Sequence, residues 1–230
     1  MLATKRRRGY EVLDDPATDP AIRERSLRDV SRSNTLLGGT HAVLSELARV
    51  LPSLGARCSL LDVGTGLADI PHSASRLATR RGVALTTFGV DEAETLARVT
   101  TRTLDHSICA DARALPFADA SVDVVTCSQV LHHFEDAEIP LVLRELHRVA
   151  RRRVIVSDLR RSWLAACGFW LATWPLGFHS VTRHDGVVSV LRGFSVPELS
   201  LHVQDAIGVR AEVRRHLGFR ITASWARNSA

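Results

Sequence analysis

Two hydrophobic rhythms run along the chain. Short apolar stretches near residues 58–63, 84–90, 104–109, 122–127 and 152–157 are bounded by polar or glycine-bearing turns and read as strands. Residues 68–81, 92–100 and 137–150 between them carry apolar side chains every three to four positions, as helices with one buried face do. In the last of these, Leu141, Leu143, Leu146 and Val149 mark the buried side. Strand–helix alternation of this kind predicts an α/β fold with a parallel sheet covered by helices on both faces. Residues 208–215 and 219–226 read as two further strands, antiparallel to each other.

The flanks follow other patterns. Residues 1–19 read as a mobile leader with turn chemistry at Asp14-Asp15-Pro16 and Asp19-Pro20. Helical periodicity covers 21–33 and about 40–51, the second with a stripe of Val43, Leu44, Leu47, Val50 and Leu51; 34–40 reads as a flexible joint. Residues 160–195 interrupt the alternation. The run Trp163 to Trp174 is strongly apolar and too short to span a bilayer, and Pro175 and Gly177 end it. His184-Asp185-Gly186 then leads into another short helical stretch, and Ser195 with Glu198 forms a capping-box helix start. The expected organisation is one domain, 1–230: a helical cap over 1–55, a core over 56–158, a lid over 159–206 and a strand pair over 207–230. The cap either leans over a site or is a packing appendage.

The chemistry gathers at strand ends. Leu60-Leu61-Asp62-Val63-Gly64-Thr65-Gly66 is an apolar run ending in an acid and two glycines. A strand turning sharply into a helix beside a nucleotide-like ligand needs such glycines, because a Cβ blocks close approach and the turn takes positive φ. Thr87 to Asp91 is a second strand ending in a carboxylate, placed to accept ribose hydroxyls. In Cys109-Ala110-Asp111-Ala112, Asp111 is placed either to accept an exocyclic amine or to cap a turn. The fourth run leads into Gln129-Val130-Leu131-His132-His133. Asp62, Asp91, Asp111, Gln129, His132, His133 and Asp158 all fall at or just past strand ends, where open sheets hold their ligands.

These segments, LLDVGTG, GVD, DARALPF with SVDVV, SQVLHHFED and LRELHRVARRRVIVSD, resemble the class I S-adenosylmethionine-dependent methyltransferases. The likeness is to the small methyltransferase-domain group related to ubiquinone and menaquinone biosynthesis and to natural-product O-methyltransferases. It spans roughly residues 58–158; Ala68 stands where the group often has a third glycine. The resemblance implies a Rossmann-like sheet of seven strands, a helical lid after strand 5, and S-adenosyl-L-methionine as cofactor. Asp62, Gly64, Thr65, Gly66, Asp91, Asp111, Ala112 and Gln129 would bind it. His132 is then the candidate general base with Asp158 orienting it, and His133 the alternative; a histidine here also packs beside the cofactor without a base role.

The implied activity is methyl transfer to a small apolar or aromatic acceptor: the hydroxyl of a phenolic, quinone-like or polyketide molecule in secondary metabolism. C- or N-methylation, and a non-catalytic S-adenosylmethionine-binding partner protein, are the alternatives. Trp163, Trp170 and Trp174, with His184, are candidate acceptor contacts, the tryptophans reading equally as lid core or as a membrane-touching face. Without a carboxylate beside Gln129, His132 and His133, no metal is expected.

Composition narrows the partners. Formal net charge is +5, yet Lys5 is the single lysine and the arginines are spread along the chain; with 5% aromatic residues, this is no nucleic-acid footprint. Cys58, Cys109, Cys127 and Cys167 show no metal or disulfide spacing and read as apolar fillers in a reducing, cytoplasmic compartment. No apolar stretch follows the basic Lys5–Arg8 run, so neither a secretory signal nor stable membrane insertion is expected. A monomer or homodimer acting on a small molecule is the expectation.

Overall fold

The computed structural model describes residues 5–7, 9–15, 17–94, 100 and 103–227. Seven strands form one sheet: β1 (Arg57–Val63), β2 (Ala84–Asp91), β3 (His106–Cys109), β4 (Val122–Ser128), β5 (Ala150–Leu159), β6 (Glu212–His216) and β7 (Arg220–Ala226). Their order is β3-β2-β1-β4-β5-β7-β6. The first five run parallel; β7 is antiparallel to both β5 and β6. Strand order reverses between β1 and β4, which opens a crevice beyond their carboxyl ends.

Side chains alternate across the sheet, as the pleat requires. Leu61, Val63, Val125, Cys127, Val154 and Val156 pack on one face with the helices α4 (Ile139–Val149) and α7 (Val196–Ile207). Leu60, Val124 and Ile155 pack on the other with α2 (Gly39–Leu54) and α3 (Asp69–Thr79). The remaining helices, α1 (Pro20–Leu36), α5 (Trp163–Thr173) and α6 (Ser180–Arg192), gather at the carboxyl edge of the sheet. No helix among the described residues is long and apolar enough to cross a membrane.

Several expectations are corrected. The expected leader is anchored over its described part. Arg6 donates to the carbonyls of His132 and Phe134 at 3.0 and 2.9 Å, and the amides of Val12 and Leu13 donate to the two Asp185 oxygens at 3.0 Å each. Helix α1 runs through the expected joint to Leu36, so only Leu37 and Gly38 turn. His184-Asp185-Gly186 lies inside α6 rather than before it, because His179 caps that helix earlier. Strand β6 begins at Glu212, since left-handed Gly208 ends α7 and the chain must then turn back. Most of the helix expected over 92–100 lies outside the described residues. The capping box at Ser195 and Glu198 forms as read.

Candidate active site

The glycine turn after β1 has two different tasks. Gly64 sits at φ +70, and a Cβ there would lie 2.2 Å from a Val130 methyl. Gly66 sits at φ +54 with open space where its Cβ would be. The first lets two strand ends approach; the second keeps backbone flush with a cavity. Asp91 clamps the turn, its carboxylate accepting from the amides of Gly66 at 2.9 Å and Ala93 at 3.0 Å. Carboxylate oxygens carry two lone pairs each, so Asp91 retains acceptor capacity toward the cavity that it lines with Gly64, Gly66, Ala110, Ala112 and Val130.

Beside this lies Asp62, buried, accepting a 2.7 Å bond from the Thr126 hydroxyl. Burial, together with the charges of Asp91 and Asp69, raises its pKa to about 7. A cation placed beside it would favour the ionised form. It shares a cavity with Thr65, Gly66, Ser128 and Gln129, where the buried Ser128 hydroxyl has no partner among the described residues. Open backbone at Gly66, acceptor capacity at Asp91 and a buried acid at Asp62 suit S-adenosylmethionine, which carries a ribose, an amino group and a sulfonium.

Gln129 joins the cavities. It lines both of those above and a third, takes the left-handed conformation at φ +58, and donates to Asn34 of α1 at 2.6 Å. Left-handed backbone at a non-glycine residue is strained, and its place between the cavities fits a site held by its surroundings.

The third cavity is lined mainly by apolar groups, among them Leu13, Leu27, Leu159, Phe169 and Val190, with His132 and His133 at one side. His132 is 3% exposed and its Nδ1 lies 2.7 Å from Asp158 Oδ1. Asp158, fully buried, also accepts from the amides of His132 at 3.2 Å and Leu159 at 2.7 Å. Burial alone would raise its pKa; the His132 charge and these hydrogen bonds outweigh it and hold the acid ionised below its usual range. An ionised carboxylate only accepts, so His132 Nδ1 carries a proton, which leaves Nε2 as the ring nitrogen able to exchange one. His133 is half-exposed; its ring lies 4.3 Å from that of His132, and its Nδ1 lies 3.2 Å from Asp14.

Some candidate residues fall elsewhere. Asp111 turns its carboxylate onto its neighbour Arg113, which donates from Nε and Nη2 at 3.0 and 2.7 Å, while Ala110 and Ala112 line the cavity beside Asp91. Trp163 and Trp170 are exposed on α5 and Trp174 at its C-cap, while the small residues Ala165 and Ala166 of that helix are buried; Phe169 is the aromatic of that helix that reaches the cavity. His184 is exposed and bonds Asp185 at 2.9 Å.

Other site residues were not singled out from sequence. Glu11, Asp14, Asn34 and Arg220 are distant in the chain from the strand ends they meet, and only the Asp14-Asp15-Pro16 turn gave a local signal. Glu11, His132 and His133 each place a ligand-capable atom within 4.8 Å of the others, so a carboxylate does approach the histidines. Glu11 Oε1 is already taken by Arg192 and Ser189, both at 2.9 Å.

Comparisons with known proteins bear on the family. The family described as "Methyltransferase domain" matches residues 61–156. The 27-O-demethylrifamycin SV methyltransferase of Amycolatopsis mediterranei is 30% identical over 207 residues, covering 84% of this chain and 68% of that protein. The demethylmenaquinone methyltransferase of Thermotoga maritima is 31% identical over 124 residues, covering 50% of this chain and 52% of that protein. Among solved structures, a SAM-dependent methyltransferase from Aquifex aeolicus matches the fold with a TM-score of 0.60 at 18% identity, covering 90% of this chain and 97% of the other. The magnesium protoporphyrin IX methyltransferase of Synechocystis with bound SAH matches with a TM-score of 0.56 at 14% identity, covering 94% and 91%. With a glycine cradle, an acid at the second strand tip and relatives of this kind, the chain belongs to the class I S-adenosylmethionine-dependent methyltransferases.

Proposed function

We propose that this enzyme methylates a hydroxyl of a small apolar or aromatic acceptor of the phenolic, quinone-like or polyketide kind, with His132 as general base. The observation that carries the reading is the buried 2.7 Å contact between His132 and Asp158 on the wall of a largely apolar cavity next to Gln129. S-adenosylmethionine supplies a methyl group on a positively charged sulfur that leaves readily. The chain must therefore align the acceptor and remove its proton. As the acceptor oxygen takes the methyl, its proton passes to Nε2 of His132, and ionised Asp158 stabilises the resulting imidazolium through Nδ1–H.

Apolar walls such as Leu27, Phe169 and Val190 would bind a carbon-rich molecule and exclude water. The name of one relative, 27-O-demethylrifamycin SV methyltransferase, supports methylation at oxygen, and that of another, demethylmenaquinone methyltransferase, a quinone-like acceptor. Arg192 balances Glu11, so the chemistry is read as independent of a metal.

The test is a methyl-transfer assay with purified chain against matched phenols, amines and carbon acids, with the product structure determined. O-methyl products from phenols support the reading; exclusive N- or C-methyl products overturn it.

A further inference from the structure

Arg220 opens β7, opposite Leu159 in the ladder with β5. It is 3% exposed and lines two cavities that share Leu159, Phe169 and Val190 in their walls: the one containing His132, and a neighbour formed with Leu37, Ala165 and Phe219. Its guanidinium has no hydrogen-bond or ion-pair partner among the described residues, and Nε and Nη1 are fully enclosed. Burial pushes its pKa down to about 10, with Asp158 the one charge opposing that shift. Asp158 is itself committed to His132 and to the Leu159 amide.

Arg161 shows what a satisfied buried arginine looks like in the same chain. Equally enclosed at 2% exposure, it grips Glu198 with two bonds of 2.6 and 2.8 Å and the Gly193 carbonyl at 2.8 Å. A guanidinium has five donors, and leaving a buried charge unpaired is among the costliest arrangements in a protein. A second oxygen on the acceptor would relieve it.

We propose that Arg220 is an oxygen-binding subsite of the acceptor cavity, holding a carboxylate, phenolate or carbonyl oxygen of an arene whose other hydroxyl meets His132. The inference deepens the acceptor reading above and rests on that assignment of the cavity. Arg220 is then a positioning and specificity residue. It selects acceptors with two oxygen functions over simple alkylphenols.

The experiment uses the full chain and its Arg220→Met and Arg220→Lys variants. Calorimetry measures binding of 2,4-dihydroxybenzoate, 4-propylphenol and S-adenosylhomocysteine, and melting is followed without ligand. Arg220→Met should lose roughly tenfold or more in dihydroxybenzoate affinity, the worth of one charge-assisted hydrogen bond. Propylphenol and S-adenosylhomocysteine affinities should stay within about threefold, since apolar contacts and the cofactor cradle are untouched. Arg220→Lys should recover part of the loss. Melting of Arg220→Met should be unchanged or higher, because an unpaired buried charge is removed.

Equal weakening of both arenes, unchanged dihydroxybenzoate binding, or wild-type binding no tighter for dihydroxybenzoate than for propylphenol would overturn the subsite. So would a lower melting temperature with lost S-adenosylhomocysteine binding in both variants, which marks a structural arginine. The binding contrast needs no turnover. If it holds while no phenol is methylated, the proposed reaction fails and the subsite stands.

Discussion

His133 Nδ1 and Asp14 Oδ1 lie 3.2 Å apart, joining the loop after β4 to the segment that crosses it from the chain's first residues. Partial enclosure of the half-exposed His133 ring works against its charge, but the Asp14 hydrogen bond and the charges of Glu11, Asp14 and Asp158 raise its pKa above the ordinary value. Burial likewise opposes Asp14 ionisation; His133 and Arg192 reverse this and lower its pKa to about 2. The histidine's contribution is complete below its ordinary pKa and fades as pH rises through the raised one; the acid's is complete above its ordinary pKa and fades as pH falls toward about 2. Hydrogen exchange at the amides of Val12 and Leu13, corrected for intrinsic rate, should therefore quicken as pH rises through the raised pKa of His133. Asp14→Asn should show the fast behaviour already at pH 6, and a pH-independent wild type would contradict the latch.

Asp62 shifts in the opposite direction to Asp14. Its pKa, raised to about 7, means the folded chain binds a proton that the unfolded chain releases. Its contribution to stability without ligand should grow as pH falls from about 7 toward 4. S-adenosylhomocysteine carries an amino group that favours the ionised acid, so its affinity should fall by up to about tenfold per pH unit below 7. Calorimetry between pH 5 and 8 checks this, and Asp62→Asn should flatten the profile.

The two glycines of the turn should separate stability from binding. Gly64→Ala sets a Cβ 2.2 Å from Val130 at φ +70, so overpacking and strain together should cost about 2–4 kcal/mol of stability. Gly66→Ala meets no atom and should cost only the left-handed strain, about 1–2 kcal/mol, yet weaken S-adenosylhomocysteine binding by projecting into the cavity. Denaturant unfolding and calorimetry on both variants test the split.

Chelation should leave the rate alone. Glu11 can approach His132 and His133, but Arg192 supplies its counter-charge and His132 Nδ1 is held by Asp158. Activity after EDTA treatment should stay within about twofold of the untreated enzyme, since the base chemistry is supplied by the protein. A loss restored by a divalent ion would make the Glu11 cluster a metal site.

The sheet was legible because parallel strands buried on both faces read as continuous apolar runs, and because acids and glycines mark their carboxyl ends. Asp62, Gly64, Gly66, Asp91, Gln129, His132 and Asp158 could be placed from that rule alone. The rest depends on contacts that the local pattern does not encode. Asp111 is bonded by Arg113 two residues away, a contact that spacing does not announce. The tryptophans of α5 look like core in composition, but alanines take the inner face and leave them outside. Ala68 adopts φ +63 at the start of α3, so the third glycine common in the group answers a left-handed turn there as well as a need for smallness. The segment carrying Glu11 and Asp14 reads as leader because nothing in it announces its distant partner, Asp185.

The central claim is that His132, held by Asp158, takes the acceptor's proton. Its most direct test is the single-turnover rate of His132→Ala at saturating S-adenosylmethionine, with S-adenosylhomocysteine affinity measured on the same protein. The account predicts unchanged cofactor affinity and a rate lower by about 10²–10⁴; a rate within about tenfold of wild type would contradict it.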